Sequence, residues 1–198
     1  MASPKELVEC VAEAFGLPVA TVGMHDRALS DAGLRTKGGR GLNVPPVTAA
    51  DAARLMIAVS ATPVSGAAIA NTVEQCRQYG ALQAVDRRGA PLAWRQRRSV
   101  PSSLRDLPAG HTVEEALIGL IIGASDGSLG GFTPRVTFYA PVVRVLVSSV
   151  SNSKTFEAIE YGHVRPSSEI GMPQKGLVQE RQFGADCIEA VGRLLARS

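Results

Sequence analysis

Three cations stand close together in the stretch DAGLRTKGGRGLNVPP, Asp31 to Pro46: Arg35, Lys37 and Arg40, set among four glycines and ahead of a proline pair. Glycine-flanked cations approach phosphates closely and add backbone N–H groups as further donors, so the chemistry on offer is anion binding. A second group, Arg87, Arg88, Arg95, Arg97 and Arg98, surrounds the single Trp94. It reads either as an arm laid on phosphates or in a minor groove, with the indole stacking or anchoring, or as a segment pinned to a core by Trp94 with its arginines solvated. Five arginines in twelve residues favour an anionic partner.

Residue types for catalysis are present but not arranged for it. GASDG, Gly123 to Gly127, matches the nucleophile-elbow pattern around Ser125, which needs a strand before the serine and a helix after it. Here helical periodicity precedes it and a glycine-rich, strand-like stretch follows. His163 is a formal base with no acid fixed beside it. The three histidines lie far apart, which leaves no metal-ligand spacing. TKGGRG lacks the Lys-Ser/Thr ending of a nucleotide-binding loop. The expectation is a protein that is not an enzyme and carries no cofactor or metal.

Composition narrows the class further. With 198 residues, 45% of them hydrophobic and few aromatic, the chain has enough Val, Leu, Ile and Ala for a globular core. Residues 1–100 carry 12 Lys/Arg against 8 Asp/Glu and residues 101–198 carry 9 against 10, so an anionic partner belongs to the front half. Cys10, Cys76 and Cys187 form no CxxC pair, which points to a reducing compartment. The N-terminus is unlike a secretory signal. The longest apolar run, Ala116 to Ala124, falls far short of the ~20 residues that span a bilayer. A cytoplasmic protein, associated with the nucleoid when bound and with no membrane partner, is expected.

Local signals divide the chain. Ser3, Pro4 and Glu6 open a first helix, with Leu7, Val8, Val11 and Phe15 at helical spacing and Gly16 as its stop. A second helix is predicted from about Pro18 to Ala32, with Val22, His25, Leu29 and Ala32 on one face and Gly33 as its stop. Thr48 and Asp51 open a third helix that buries Ala52, Leu55, Met56 and Val59. A fourth runs from Gly66 to Tyr79. Residues 81–110 show no sustained period and read as a basic linker or arm. Thr112 and Glu115 then start another helix. RVTFYAPVVRVLVSS reads as one strand or as two joined by a bulge at Pro141, TFEAIEY and GLVQERQF alternate like strands, and Ala185 to Ala196 closes the chain as a helix. The fold expected is α+β: an all-α part over 1–80, the linker over 81–110, and a small α+β part with a short antiparallel sheet over 111–198.

The first two helices are joined by the very short turn FGLP. Ala12 is small where two helices must approach, Gly16 makes the turn, and Leu17 and Val22 lock the second helix onto the first. This arrangement resembles the helix-turn-helix of phage repressors and related regulators, directly over residues 5–30 and over 3–61 with the third helix included. The resemblance implies that the second helix lies in the major groove of DNA with its N-terminal half against base edges. Carried over, Ala20, Thr21, Met24 and Arg27 would face the groove. Arg27 would suit bidentate reading of guanine, and Thr21 and Met24 would offer a hydroxyl and an apolar contact. The chain departs from the pattern at Gly23, which weakens the helix by about 1 kcal/mol relative to Ala, and at His25, where an aliphatic residue is usual.

LSDAGLRTKGGRG with VTAADAARLMIAV is also similar to small regulators encoded by prophages and gene transfer agents. The expectation that follows is a sequence-specific regulator of transcription that binds double-stranded DNA. Its rear part would form a homodimer or meet another protein such as RNA polymerase or a second regulator. Two rivals stand beside it. Phage small terminase subunits also begin with a helix-turn-helix but start DNA packaging as rings, and the long coiled-coil segment that would favour them is not evident. A protein-interaction module whose basic patches meet an acidic partner is the rival from another class.

Overall fold

Three capping boxes fix where helices begin. In the computed structural model, which describes residues 2–36, 45–62, 66–86, 88–94, 99–151, 154–162 and 179–197, the hydroxyls of Ser3, Thr48 and Thr112 accept from the backbone N–H three residues on. Glu6, Asp51 and Glu115 reach back to the N–H of the cap residue. Each box satisfies two donors that a helix start would otherwise leave unpaired. They open α1 (Pro4–Phe15), α3 (Ala49–Ala61) and α6 (Val113–Ser125). Between the first two lies α2 (Val19–Asp31), reached through Gly16, whose φ of 64° is the left-handed conformation that turns the chain out of α1.

The helix expected from Gly66 starts instead as a 3-10 turn over Gly66–Asn71 and becomes α4 only at Thr72–Gly80. The Thr72 hydroxyl donates to the Ile69 carbonyl at 2.7 Å, taking a backbone acceptor at that junction.

The described residues between 81 and 110 are drawn onto the core by their apolar side chains. Ala84 bridges to Tyr161, and Trp94, Val100 and Leu104 are buried. The indole stands edge-on to Phe132 with ring centroids 5.8 Å apart. The short helix α5 (Ser102–Arg105) then lies across α6, where a Cβ at Gly119 would come within 2.7 Å of the Ser103 carbonyl oxygen.

Four strands follow: β1 (Pro134–Ala140), β2 (Arg144–Ser151), β3 (Lys154–Tyr161) and β4 (Gln179–Gly184). RVTFYAPVVRVLVSS is thus two strands joined by a turn at Pro141–Val143, and the irregularity sits later, between Ser149 and Val150. All pairings are antiparallel and the order is β3-β2-β1-β4: a three-strand meander whose fourth strand returns beside the first, the Greek-key arrangement. Val136, Phe138, Val145, Val147, Ile159 and Phe183 alternate onto one buried face. Onto it pack α3 and α7 (Ala185–Ala196).

The fold class is α+β, as the sequence indicates. α1 packs on α7 and α3 on α6, so one apolar core runs across positions 80 and 110. Arg181 ties β4 to the end of α3. Its Nη1 donates to the Ser60 carbonyl at 3.1 Å and to that of Thr62, and its Nη2 to Gln179 Oε1 at 2.8 Å. The C-terminal carbonyls of α3 are its counter-charge. No helix among the described residues is long and apolar enough to cross a membrane.

Candidate nucleic-acid interface

Helix α2 has a locked inner face and an open outer one. Val22 and Leu29 are fully buried against α1, α3 and α4. His25 points inward too, only 3% exposed, where its Nδ1 lies 2.8 Å from Thr72 Oγ1. The Thr72 hydroxyl already donates to Ile69, so His25 donates to it from Nδ1–H, the tautomer a neutral imidazole would take there. Burial pushes its pKa down, which favours the same form. The aliphatic position of the resemblance is therefore filled by an imidazole with a built partner.

On the opposite side, Ala20, Met24 and Arg27 are exposed and Thr21 is half-exposed. Residues 20, 24 and 27 fall in one row at helical spacing. Val19 and Met24, 52% and 44% exposed, are two of the large apolar side chains left in solvent. Arg27 has no ion pair or hydrogen bond among the described residues. Of the four positions expected to face a groove, three thus share an exposed row, with half-exposed Thr21 to one side of it.

The base of the glycine-rich loop is fastened at three points. Arg35 lies 2.9 Å from Asp26 through Nε, a charge contact rather than an aligned hydrogen bond, with both side chains mostly buried. It also donates to Ser30 Oγ at 3.1 Å. Asp51 accepts from the Thr36 N–H at 2.7 Å and from the Thr48 N–H at 2.8 Å, so one carboxylate clasps both ends of the loop. Arg54 donates from Nη1 to the Leu34 carbonyl at 2.9 Å and from Nε to Glu114 of α6 at 2.9 Å.

The two aspartates end with opposite shifts. Burial pushes the Asp26 carboxyl up, with the Asp51 charge adding to the rise and Arg35 opposing it. Burial would also raise Asp51, but the donors from Thr36 and Thr48 outweigh it and hold its pKa below the usual range.

Arg35, expected as a phosphate ligand, is engaged inside the chain. Asp26 sits one turn after Val22 on the inward side, and a buried carboxylate there draws the nearest guanidinium. Lys37 and Arg40 lie outside the described residues. So do Arg87, Arg95, Arg97 and Arg98 of the second cluster, and His163. Arg88 is exposed on a turn in which Asp86 Oδ1 accepts from the N–H groups of Arg88 and Ala90 at 2.7 and 2.8 Å. Trp94 is 2% exposed, so of its two readings the structure takes the pinned one, and the indole offers no stacking face.

Ser125 of the GASDG stretch is the last residue of α6, its hydroxyl donating to the Ile122 carbonyl at 2.8 Å. Among the described residues no three His, Cys, Asp or Glu side chains gather as a metal site. The sequence reading missed Asp51 as a clasp, Arg54 as the bridge to Glu114 and Thr72 as the partner of His25. The Thr48–Asp51 spacing was the one local signal among these. No protein-family model matches the chain, and no curated protein and no solved structure matches it either.

Proposed function

We propose that this chain is a sequence-specific regulator that binds double-stranded DNA, with α2 in the major groove and the adjoining basic loop on phosphates. The observation that carries the reading is the division of α2. Its inner face is fixed by Val22, His25 and Leu29, while Ala20, Thr21, Met24 and Arg27 are left outward. A rigid helix presenting a guanidinium and short or apolar neighbours is what base reading in a major groove requires. Arg35 enters as the anchor of the loop, and Lys37 and Arg40 as its phosphate contacts. The sheet-bearing rear part is the element for self-association or for a protein partner such as RNA polymerase.

The test is a fluorescence-anisotropy titration with genome-derived duplexes at low and moderate salt. Phosphate-based binding loses orders of magnitude in affinity between ~50 and ~200 mM salt. Arg27→Ala lowers discrimination between sites, whereas replacing Lys37 and Arg40 weakens binding to all duplexes and flattens the salt slope by about one per contact. No binding at low salt overturns the reading. Exposed Val19 and Met24 favour a second reading, distinct from the basic-patch module, an apolar protein-docking helix, which would show salt-insensitive binding to a protein and none to DNA.

A further inference from the structure

Gly23 stands inside α2, where a glycine weakens the helix, and nothing among the described residues requires it. Its φ lies outside the left-handed region, and a Cβ built there meets only Val8 Cγ1, at an ordinary 3.9 Å. The other glycines inside long helices are unlike it. A Cβ at Gly119 would come within 2.7 Å of Ser103 O, one at Gly123 within 2.9 Å of Ser103 Oγ, and one at Gly192 within 2.5 Å of Ala124 Cβ. Those three are demanded by neighbours in the chain.

Position 23 lies one turn before Arg27 and three residues after Ala20, half-buried at the edge of the outward face, where a Cβ would meet Val8 of α1. Helical side chains lean toward the N-terminus, and residues four apart lie one above the other. An Arg27 stem that follows this lean passes over Gly23 toward Ala20, positions that carry at most a methyl.

We infer that Gly23 is a positioning residue for Arg27: its bare backbone is the track along which the guanidinium is laid toward the N-terminal half of α2, where it meets guanine in a DNA groove. The role rests on the DNA reading above. A side chain at 23 would lift the stem off the helix and cost the aligned, two-point contact that gives base discrimination, while leaving charge and general affinity in place.

The test compares Gly23→Leu, Gly23→Ala, Arg27→Ala and the Gly23→Leu/Arg27→Ala double variant. Each is titrated with a selected duplex and with the same duplex changed at single G·C pairs. A bidentate arginine–guanine contact discriminates by about 5- to 150-fold, and Arg27→Ala removes that factor. Gly23→Leu is expected to lower discrimination at the same base pair about tenfold, Gly23→Ala less, and Gly23→Leu to add nothing when Arg27 is already absent. Melting curves for the leucine and alanine variants should lie no lower than that of the wild type, which separates this outcome from simple unfolding.

Equal discrimination by Gly23→Leu and wild type overturns the role, and so does a full loss that persists without Arg27. If the wild-type chain binds no duplex at all, the DNA reading falls and takes this role with it.

Discussion

The glycines of α6 and α7 and the glycine of α2 occupy helices of similar length for opposite reasons. At the α6–α7 crossing, Gly192 sits against Ala124 and the backbone of Ser125, and Gly119 and Gly123 receive α5. In α2, Gly23 has ordinary room around it. The first region uses missing side chains to bring backbones together, as close packing requires. The second leaves a gap on a surface. A helical glycine is therefore informative about an outside partner only after the inside of the molecule has been asked to explain it.

The sharpest way to break this comparison is to add one methyl to each region. Gly192→Ala places a Cβ 2.5 Å from Ala124 Cβ and 2.9 Å from two backbone atoms, none of them the end of a flexible side chain. Overpacking of this kind costs about 3 kcal/mol, which lowers Tm by about 6–12 °C in a chain of this size. A thermal melt by circular dichroism reads it, and a shift under about 1 °C would remove the packing account of that crossing.

The next effect in size concerns the loop base. Asp51→Ala leaves the N–H groups of Thr36 and Thr48 without their carboxylate and removes the capping box of α3. The loss is about 2 kcal/mol. Asp51→Asn keeps the acceptor oxygen for one of the two donors and should recover part of the loss. Chemical denaturation measures both, and midpoints for the two variants equal to that of the wild type would show that the clasp contributes nothing.

A pH titration compares the same two regions through one histidine each. His25 in α2 and His111 before α6 are both buried. His111 Nδ1–H donates to the Pro108 carbonyl at 3.0 Å, so its Nε2 accepts from the Tyr161 hydroxyl at 2.8 Å. Burial pushes both imidazoles below their ordinary pKa, against a smaller opposing effect of Pro108 and Glu115 at His111.

The unfolded chain therefore binds protons below about pH 6.5 that the folded chain refuses, and stability falls as the pH drops below that value. Asp26, with its carboxyl pushed up, acts in the opposite sense, regaining stability at more acid pH as it takes up its proton. Melts from about pH 7.5 to about pH 5.5 should show a falling Tm, and His25→Gln and His111→Gln should each flatten the slope. A slope unchanged in both variants would mean that neither imidazole is held neutral by the fold.

What could be read in the sequence follows the reach of the interactions. The boxes at Ser3, Thr48 and Thr112 act within three residues, and all three helices start where those spacings put them. The outward row Ala20, Met24 and Arg27 came with the helix-turn-helix resemblance, and it agrees with the helical period that buries Val22 and Leu29. Arg35 was not legible. Its charge suggested an outside anion, but Asp26, turned inward by the same period, lies 2.9 Å away. Pairs that close over long stretches of chain, such as Arg181 with the end of α3 and Arg54 with Glu114, leave no periodic trace. Trp94 was open between two readings because a lone indole in a basic segment serves either, and only the presence of Phe132 beside it decides.

The smallest expected effect is also the one of opposite sign. Gly23→Ala adds a methyl that meets Val8 Cγ1 at 3.9 Å, a contact and not a clash. It removes the backbone freedom that glycine has in the unfolded chain, so the variant gains about 1 kcal/mol and its Tm rises by about 2–4 °C. The same methyl thus has opposite effects at positions 192 and 23. If Gly23→Ala instead melts lower than the wild type, the fold itself needs that glycine, and the argument from α2 to an outside partner loses its premise whatever the DNA measurements return.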